Sequence, residues 1–265
     1  MVVFRERVEE QLVNTRKPTA GNVQAGFAPD QRGYGPAMTS SGVTLAGAAV
    51  MIAGATGGIG SAVAGELHRR GARLALVGRD EHRLHQLQAP GQRLALDLRS
   101  PEACRKAISE AKNRHGRLDA VVNAVGVVAF GSTSELSVDA MEELFLTNTF
   151  LPIMLAKAAL PELEHGGAIV NLSGVIAEQN LPGMAAYGAS KAALTSFDQA
   201  FSREARRAGV TVIDARPPHT ETGLAQRPIE GTAPSMRPGL DPNRVATVIC
   251  DAIAEGATDL PSSAF

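Results

Sequence analysis

A tyrosine and a lysine four positions apart sit in the run Gly183-Met184-Ala185-Ala186-Tyr187-Gly188-Ala189-Ser190-Lys191-Ala192-Ala193-Leu194. The neighbouring residues are small and rich in Ala, which favours a helix, and on a helix positions i and i+4 share one face. A phenol normally titrates near ~10, and a fixed ammonium beside it favours the phenolate and moves the group toward proton exchange at neutral pH. The pair has the makings of a general acid/base, and equally of an ordinary exposed helix face. The elements around it have to decide.

Those elements follow from the hydrophobic texture. Residues 48–53 are a short uncharged apolar run, the pattern of a strand buried on both faces. Further strands are expected at 74–77, 93–96, 120–123, 168–172 and 210–215. Between them, helical patterns cover 61–70, 83–87, 101–114 and 138–148 continuing to 163, then the Tyr187 segment. Asp241-Pro242 caps a last helix through 254, and the residues from 259 read only as a short tail. Strands and helices alternating with short connections imply right-handed crossovers and a parallel sheet covered on both faces, a doubly wound α/β fold.

The 265 residues suffice for one large core. Net charge is −1 with no long Lys or Arg run, so the expected partners are small molecules, with no nucleic acid and no membrane. Cys104 and Cys250 form no ligand cluster, which fits reduced thiols and no metal site. The start of the chain lacks a hydrophobic signal core, and no apolar run approaches the ~20 residues of a membrane span, so a cytoplasmic protein is expected. Phe4, Val8 and Leu12 predict a short amphipathic helix, followed by a Gly- and Pro-rich stretch to residue 42. The expected organisation is an N-terminal helix and flexible arm over 1–43 and a single domain over 44–265.

In a doubly wound sheet the ligand sits beyond the carboxyl ends of the strands, where strand order reverses. The turn Gly54-Ala55-Thr56-Gly57-Gly58-Ile59-Gly60 follows the first strand and opens a helix. Its glycines allow a sharp turn and a close approach to a pyrophosphate, which rests on the helix N-terminal amides. This spacing, Gly-x-x-x-Gly-x-Gly, followed downstream by Tyr187-x-x-x-Lys191, resembles the short-chain dehydrogenase/reductase family over roughly residues 45–265.

The resemblance implies a single-domain Rossmann fold and a carbonyl/secondary-alcohol oxidoreductase using NADP, or alternatively NAD. It assigns the dinucleotide to Gly54, Thr56, Gly58, Ile59 and Gly60, and the adenine to Asp97 and the amide of Leu98. Asn123 and Ala124, in Asn-Ala-Val-Gly, match a family signature with its second Asn replaced, and Thr220 and Thr222 fall in the loop over the carboxamide. That loop has Pro218 in place of the family's Gly, which removes an amide donor. Asn148 matches the Asn that holds a relay water, Tyr187 the proton donor, and Lys191 the ribose-binding cation that lowers the tyrosine pKa.

At the end of the second strand Gly78-Arg79 lacks the carboxylate that an NAD site uses, so Arg79 is expected on a 2′-phosphate, while Asp80, one place late, keeps NAD open. The family's carbonyl-orienting Ser lies thirteen residues before the Tyr, where this chain has Gly174. Ser173 stands one place early; it either recovers the role through a backbone bend or faces the other way. Residues 223–241, punctuated by prolines, read as a mobile lid over a carbonyl or alcohol substrate. The family suggests a homodimer or homotetramer. Gly174 and Pro218 also motivate an alternative, a nucleotide-binding regulatory or scaffold protein. An epimerase or dehydratase acting on nucleotide sugars would need a substrate domain for which the chain looks too short.

Overall fold

The computed structural model describes residues 42–265; the expected N-terminal helix and the arm up to residue 41 lie outside the described residues. Seven strands form one sheet: β1 (Ala49–Ala53), β2 (Arg73–Gly78), β3 (Gln92–Ala95), β4 (Ala120–Asn123), β5 (Ala168–Leu172), β6 (Thr211–Ala215) and β7 (Asp259–Leu260). Their order is β3-β2-β1-β4-β5-β6-β7 and every pairing is parallel. The order reverses between β1 and β4, which fixes the crevice where a ligand can enter. This is the Rossmann-like doubly wound sheet that the alternating pattern implies.

The helices are α1 (Gly58–Arg69), α2 (Glu81–His85), α3 (Pro101–His115), α4 (Val138–Phe145), α5 (Leu151–Ala159), α6 (Ala185–Arg207) and α7 (Pro242–Glu255). Alternating strand residues feed two cores. Val50, Ile52, Leu74, Leu76, Val122 and Val170 meet α1 and α7 on one face, while Met51, Val77, Val121 and Ile169 meet α3, α5 and α6 on the other. Each such buried aliphatic side chain stabilises the fold by about 1.5–3 kcal/mol relative to exposure.

Two expectations need correction. The end of the chain is more than a tail: Asp259–Leu260 adds β7 to the sheet edge and Phe265 is buried in the core. A two-residue strand has no periodicity to read. And one helical stretch, Val138–Glu162, with mean hydropathy 1.4, is long and apolar enough to cross a membrane, contrary to the expectation that no such run exists. Half of its most apolar window is buried inside the fold, and it packs against α3 and α6.

That stretch is not a uniform helix. A π turn, Leu146–Phe150, joins α4 to α5, and Thr147, Asn148 and Thr149 are all buried there. The wider turn brings three successive polar residues inward, which a regular 3.6-residue repeat does not do, and π turns tend to occur at functional sites.

Candidate active site

A cavity of about 380 Å³ opens at the carboxyl ends of the strands, running from the glycine turn to Tyr187 and the segment beyond it. At the turn the backbone demands glycine. Gly54 has φ +76°, and an added Cβ there would come within 2.8 Å of the Ala124 backbone at the end of β4. A Cβ on Gly60 would lie 2.2 Å from the Gly54 carbonyl, and one on Gly58 would lie 2.5 Å from Thr222 Cβ. The turn is thereby compressed against the two strand ends, with Thr222 laid over it. No side chain caps the N-terminus of α1, so its positive end faces the cavity at Gly58 and Ile59.

At the end of the cavity beside β2 and β3, Arg79, Arg83 and Arg99 all line the wall. Asp80 is the N-cap of α2, its carboxylate accepting the Arg83 amide at 3.0 Å. Arg83 also reaches the Thr56 carbonyl at 2.7 Å. Asp97 and the buried Leu98 lie on the same wall. The Arg99 guanidinium grips the Asp97 carboxylate, with a closest contact of 2.6 Å, and holds its pKa below the usual range. Arg99 extends to Glu143 at 3.1 Å.

The Lys191 and Asn148 side chains converge on Gly126, and Tyr187 lines the same cavity. A Cβ on that glycine would sit 3.4 Å from both Asn148 Oδ1 and Lys191 Nζ. Asn148 accepts the Val127 amide at 3.0 Å and donates to the Val127 carbonyl at 2.9 Å and to Ser190 Oγ at 3.1 Å. Ser190 Oγ donates in turn to the Tyr187 carbonyl at 2.7 Å, tying the π turn to the first turn of α6. Lys191 Nζ donates to the Leu172 carbonyl at 2.7 Å.

The electrostatics differ from the expectation that Lys191 lowers the tyrosine. Burial pushes the Tyr187 phenol up to about 12, although the ring keeps part of its surface in the cleft. Burial also pushes Lys191 down to about 8, against the pull of Asp214 and Asp198. Desolvation of both groups outweighs the attraction that i, i+4 spacing suggests.

Behind Lys191 lies a polar row of which only Asn123 is expected from the sequence to be functional. Asn123, Asn171 and Asp214 stand in register across β4, β5 and β6. Asn123 donates to Asn171 at 3.2 Å, and Asn171 to Asp198 of α6 at 2.7 Å. Burial raises Asp198 to about 8. A polar residue at the fourth place of otherwise apolar strands was the available signal.

Ser173 is buried, and its hydroxyl donates to the Asp214 carboxylate. Gly174 next to it has φ +96°, and its vacant Cβ position is 3.9 Å from the Pro217 carbonyl. The bend therefore takes the hydroxyl to β6. Thr220 donates to the Pro218 carbonyl at 2.8 Å, and His219 pairs with Glu221 at 3.5 Å. Across the mouth, the segment 223–241 is pinned at its middle: the Phe130 amide donates to the Glu230 carbonyl at 3.0 Å and the Ile229 amide to the Val128 carbonyl at 2.8 Å.

Comparison with known proteins shows which family the chain belongs to. The sequence profile of the short chain dehydrogenase family matches residues 48–232. The chain belongs to that family. An uncharacterised oxidoreductase of Staphylococcus epidermidis is 28% identical over 204 residues, covering 75% of this chain and 87% of the relative. Dehydrogenase/reductase SDR family member 7B of Danio rerio is 29% identical over 225 residues, covering 77% and 73% respectively. Among solved structures, a short chain dehydrogenase from Burkholderia cenocepacia J2315 in complex with NADP superposes with a TM-score of 0.73 at 24% identity, covering 84% of this chain and 99% of that one. For this short chain dehydrogenase, the glycine turn, the arginine wall and the Tyr187 cluster thus share one cleft.

Proposed function

We propose that the protein is an NADP-dependent oxidoreductase that interconverts a carbonyl and a secondary alcohol, with Tyr187 as general acid/base. The observation that carries the reading is that Tyr187 and Lys191 line the same cavity as the compressed glycine turn, with Lys191 and Asn148 meeting beside Gly126. The residues fit a dinucleotide: the uncapped N-terminus of α1 offers amides to a pyrophosphate, and glycine at 54, 58 and 60 lets the chain pack into the tight turn that presents them. Thr56, Ile59, Asn123, Ala124, Thr220 and Thr222 would line its path, with Asp97 and Leu98 beside the adenine. When bound, the cofactor supplies the hydride.

NADP is favoured over NAD by what surrounds the second strand. Asp80, the carboxylate that kept NAD open, is engaged as a helix cap, while Arg79 and Arg83 border the same end of the cleft. The NADP complex of the Burkholderia relative supports the same choice.

In the reductive direction Tyr187 protonates the developing alkoxide, and its raised pKa keeps that proton in place until the oxygen becomes a stronger base. Lys191 binds the ribose and lends positive charge. Asn148, whose carbonyl and amide are both held by Val127, orients the water that restores the proton. A family-like homodimer or homotetramer acting on a small carbonyl or alcohol completes the reading.

The withdrawn Ser173 hydroxyl and Pro218 favour a second reading, a nucleotide-binding regulatory protein without turnover. NADPH oxidation followed across ketones, aldehydes and quinones separates the two. Turnover is expected, and Tyr187→Phe should lower kcat by about 10²–10⁴-fold with NADPH binding intact. Undiminished turnover in Tyr187→Phe would sink the mechanism, and binding without turnover on every carbonyl would establish the regulator.

A further inference from the structure

The substrate end of the cleft carries information that the cofactor end does not. Its walls are Val128, Phe130, Ile176, Leu181, Met184 and Met236. Two of these are large apolar side chains left open at the mouth, Leu181 at 48% exposure and Met236 at 38%. Apolar surface of this kind gains free energy when a ligand covers it.

The charged groups at this end are already engaged. Arg227 folds back onto its own loop, donating to the Gly223 carbonyl at 2.9 Å and the Thr222 carbonyl at 3.4 Å. His219 lies beside Glu221 at 3.5 Å. Arg237 is exposed beside Met236 but does not line the cavity, so among the described residues no arginine of this segment points an unengaged guanidinium into it.

Donors for the carbonyl oxygen are engaged in the same way. The hydroxyl of Ser173 goes to Asp214, that of Thr147 to Glu143 at 2.9 Å, and that of Thr220 to the Pro218 carbonyl. The Asn148 amide is divided between Val127 and Ser190. The backbone amides of Gly174 and Val175 donate to the Ala215 and Pro217 carbonyls at 3.2 and 3.0 Å. Among the described residues, this leaves Tyr187 to meet the substrate oxygen without a second hydroxyl from the end of β5. Removing one preorganised donor from such a site typically costs about 10²–10³-fold in rate.

We infer that the substrate is a neutral, apolar carbonyl compound that carries its own activation, a 1,2-dicarbonyl. An adjacent carbonyl withdraws electrons from the reacting one and does internally what the missing hydroxyl would do. The inference rests on the oxidoreductase reading above. The reaction balances as R–CO–CO–R′ + NADPH + H⁺ giving R–CH(OH)–CO–R′ + NADP⁺. One carbonyl carbon gains a C–H bond and two electrons, its π bond opens, and its oxygen takes the Tyr187 proton, which solvent replaces.

Three probes of one skeleton test it: methyl phenyl diketone, propiophenone, which lacks the second carbonyl, and phenylglyoxylate, which exchanges the second ketone for a carboxylate. NADPH oxidation by the intact protein should favour the diketone over propiophenone in kcat/KM by about 100-fold or more, and over phenylglyoxylate by about tenfold or more. The diketone-to-propiophenone ratio should also be no smaller than that for borohydride in the same buffer, because a site that polarises its substrate would compress it. In the presence of NADP⁺, where no reduction occurs, the diketone should raise the melting temperature and phenylglyoxylate should not.

Propiophenone within about threefold of the diketone would overturn the activation half, and a preference for phenylglyoxylate would overturn the apolar half. In either case the oxidoreductase reading stands. If NADPH binds, seen as a change in its fluorescence, yet no carbonyl is consumed, that reading fails and takes the inference with it.

Discussion

At Lys191 two opposing influences meet, and their balance sets a pH limit. Burial disfavours the ammonium, while Asp214 and Asp198 favour it, leaving the group near 8. The ammonium is therefore present below that value and lost above it. Tyr187, held near 12, remains a proton donor throughout the working range. In the reductive direction kcat/KM should be level through neutrality and fall above pH about 8, the limb belonging to the lysine. Lys191→Arg, which stays charged, should remove that limb even where it lowers the plateau. A profile that keeps the fall in the arginine variant would assign it to another group. The Tyr-x-x-x-Lys spacing showed that these two residues share a face. It could not show the sign of the tyrosine shift, which depends on how much protein closes over the ring.

Among the elements, α1 contrasts two glycines that look alike in sequence. A Cβ on Gly58 would press into Thr222 at 2.5 Å, whereas one on Gly65 would meet nothing within 4 Å. Gly58→Ala must displace the loop laid over the glycine turn, and NADPH Kd should rise by about tenfold or more, about 1.4 kcal/mol. Gly65→Ala only replaces a poor helix former, and should raise stability by about 0.5–1 kcal/mol in thermal melts without changing Kd. Equal effects on binding from the two variants would contradict this account of the turn.

The strands were legible because a sheet buried on both faces leaves continuous apolar runs such as residues 48–53. Helix starts marked by a cap, at Pro101, Val138 and Pro242, were legible too. The expected start of α1 at 61 is observed at Gly58, because an uncapped end carries no Ser, Thr or Asp to mark it. The π turn that brings Asn148 inward has no sequence signature either, since the element it packs against, α6, lies far along the chain.

On the scale of the whole molecule, the substrate side of the cleft is fastened to the end of the chain through one buried guanidinium. Arg216 leaves β6 and meets Asp214, Glu178 from the segment after β5, and Asp259 of β7, the last at 2.7 Å. Glu178 also accepts the Ser262 hydroxyl at 2.6 Å. The sequence shows Arg216 only as the residue opening a proline loop, because its partners Glu178 and Asp259 lie 38 and 43 positions away and only the β5-β6-β7 pairing brings them together. The same long-range arrangement explains why Ser173 could not be placed from sequence: its orientation depends on where Asp214 stands across the sheet.

Replacing Arg216 with methionine retains much of the stem volume but leaves three carboxylates together without their cation, one of them, Asp214, buried. Breaking a buried pair from one side costs about 3–5 kcal/mol, so a large fall in melting temperature is expected. Asp259→Asn removes only a partner whose side chain is 59% exposed, and should cost about 1 kcal/mol or less. Because Glu178 closes the segment that begins at Gly174, loosening it should raise KM for the carbonyl more than Kd for NADPH in any Arg216 variant that remains folded. A uniform loss of both would mean that Arg216 supports the fold as a whole rather than the substrate wall.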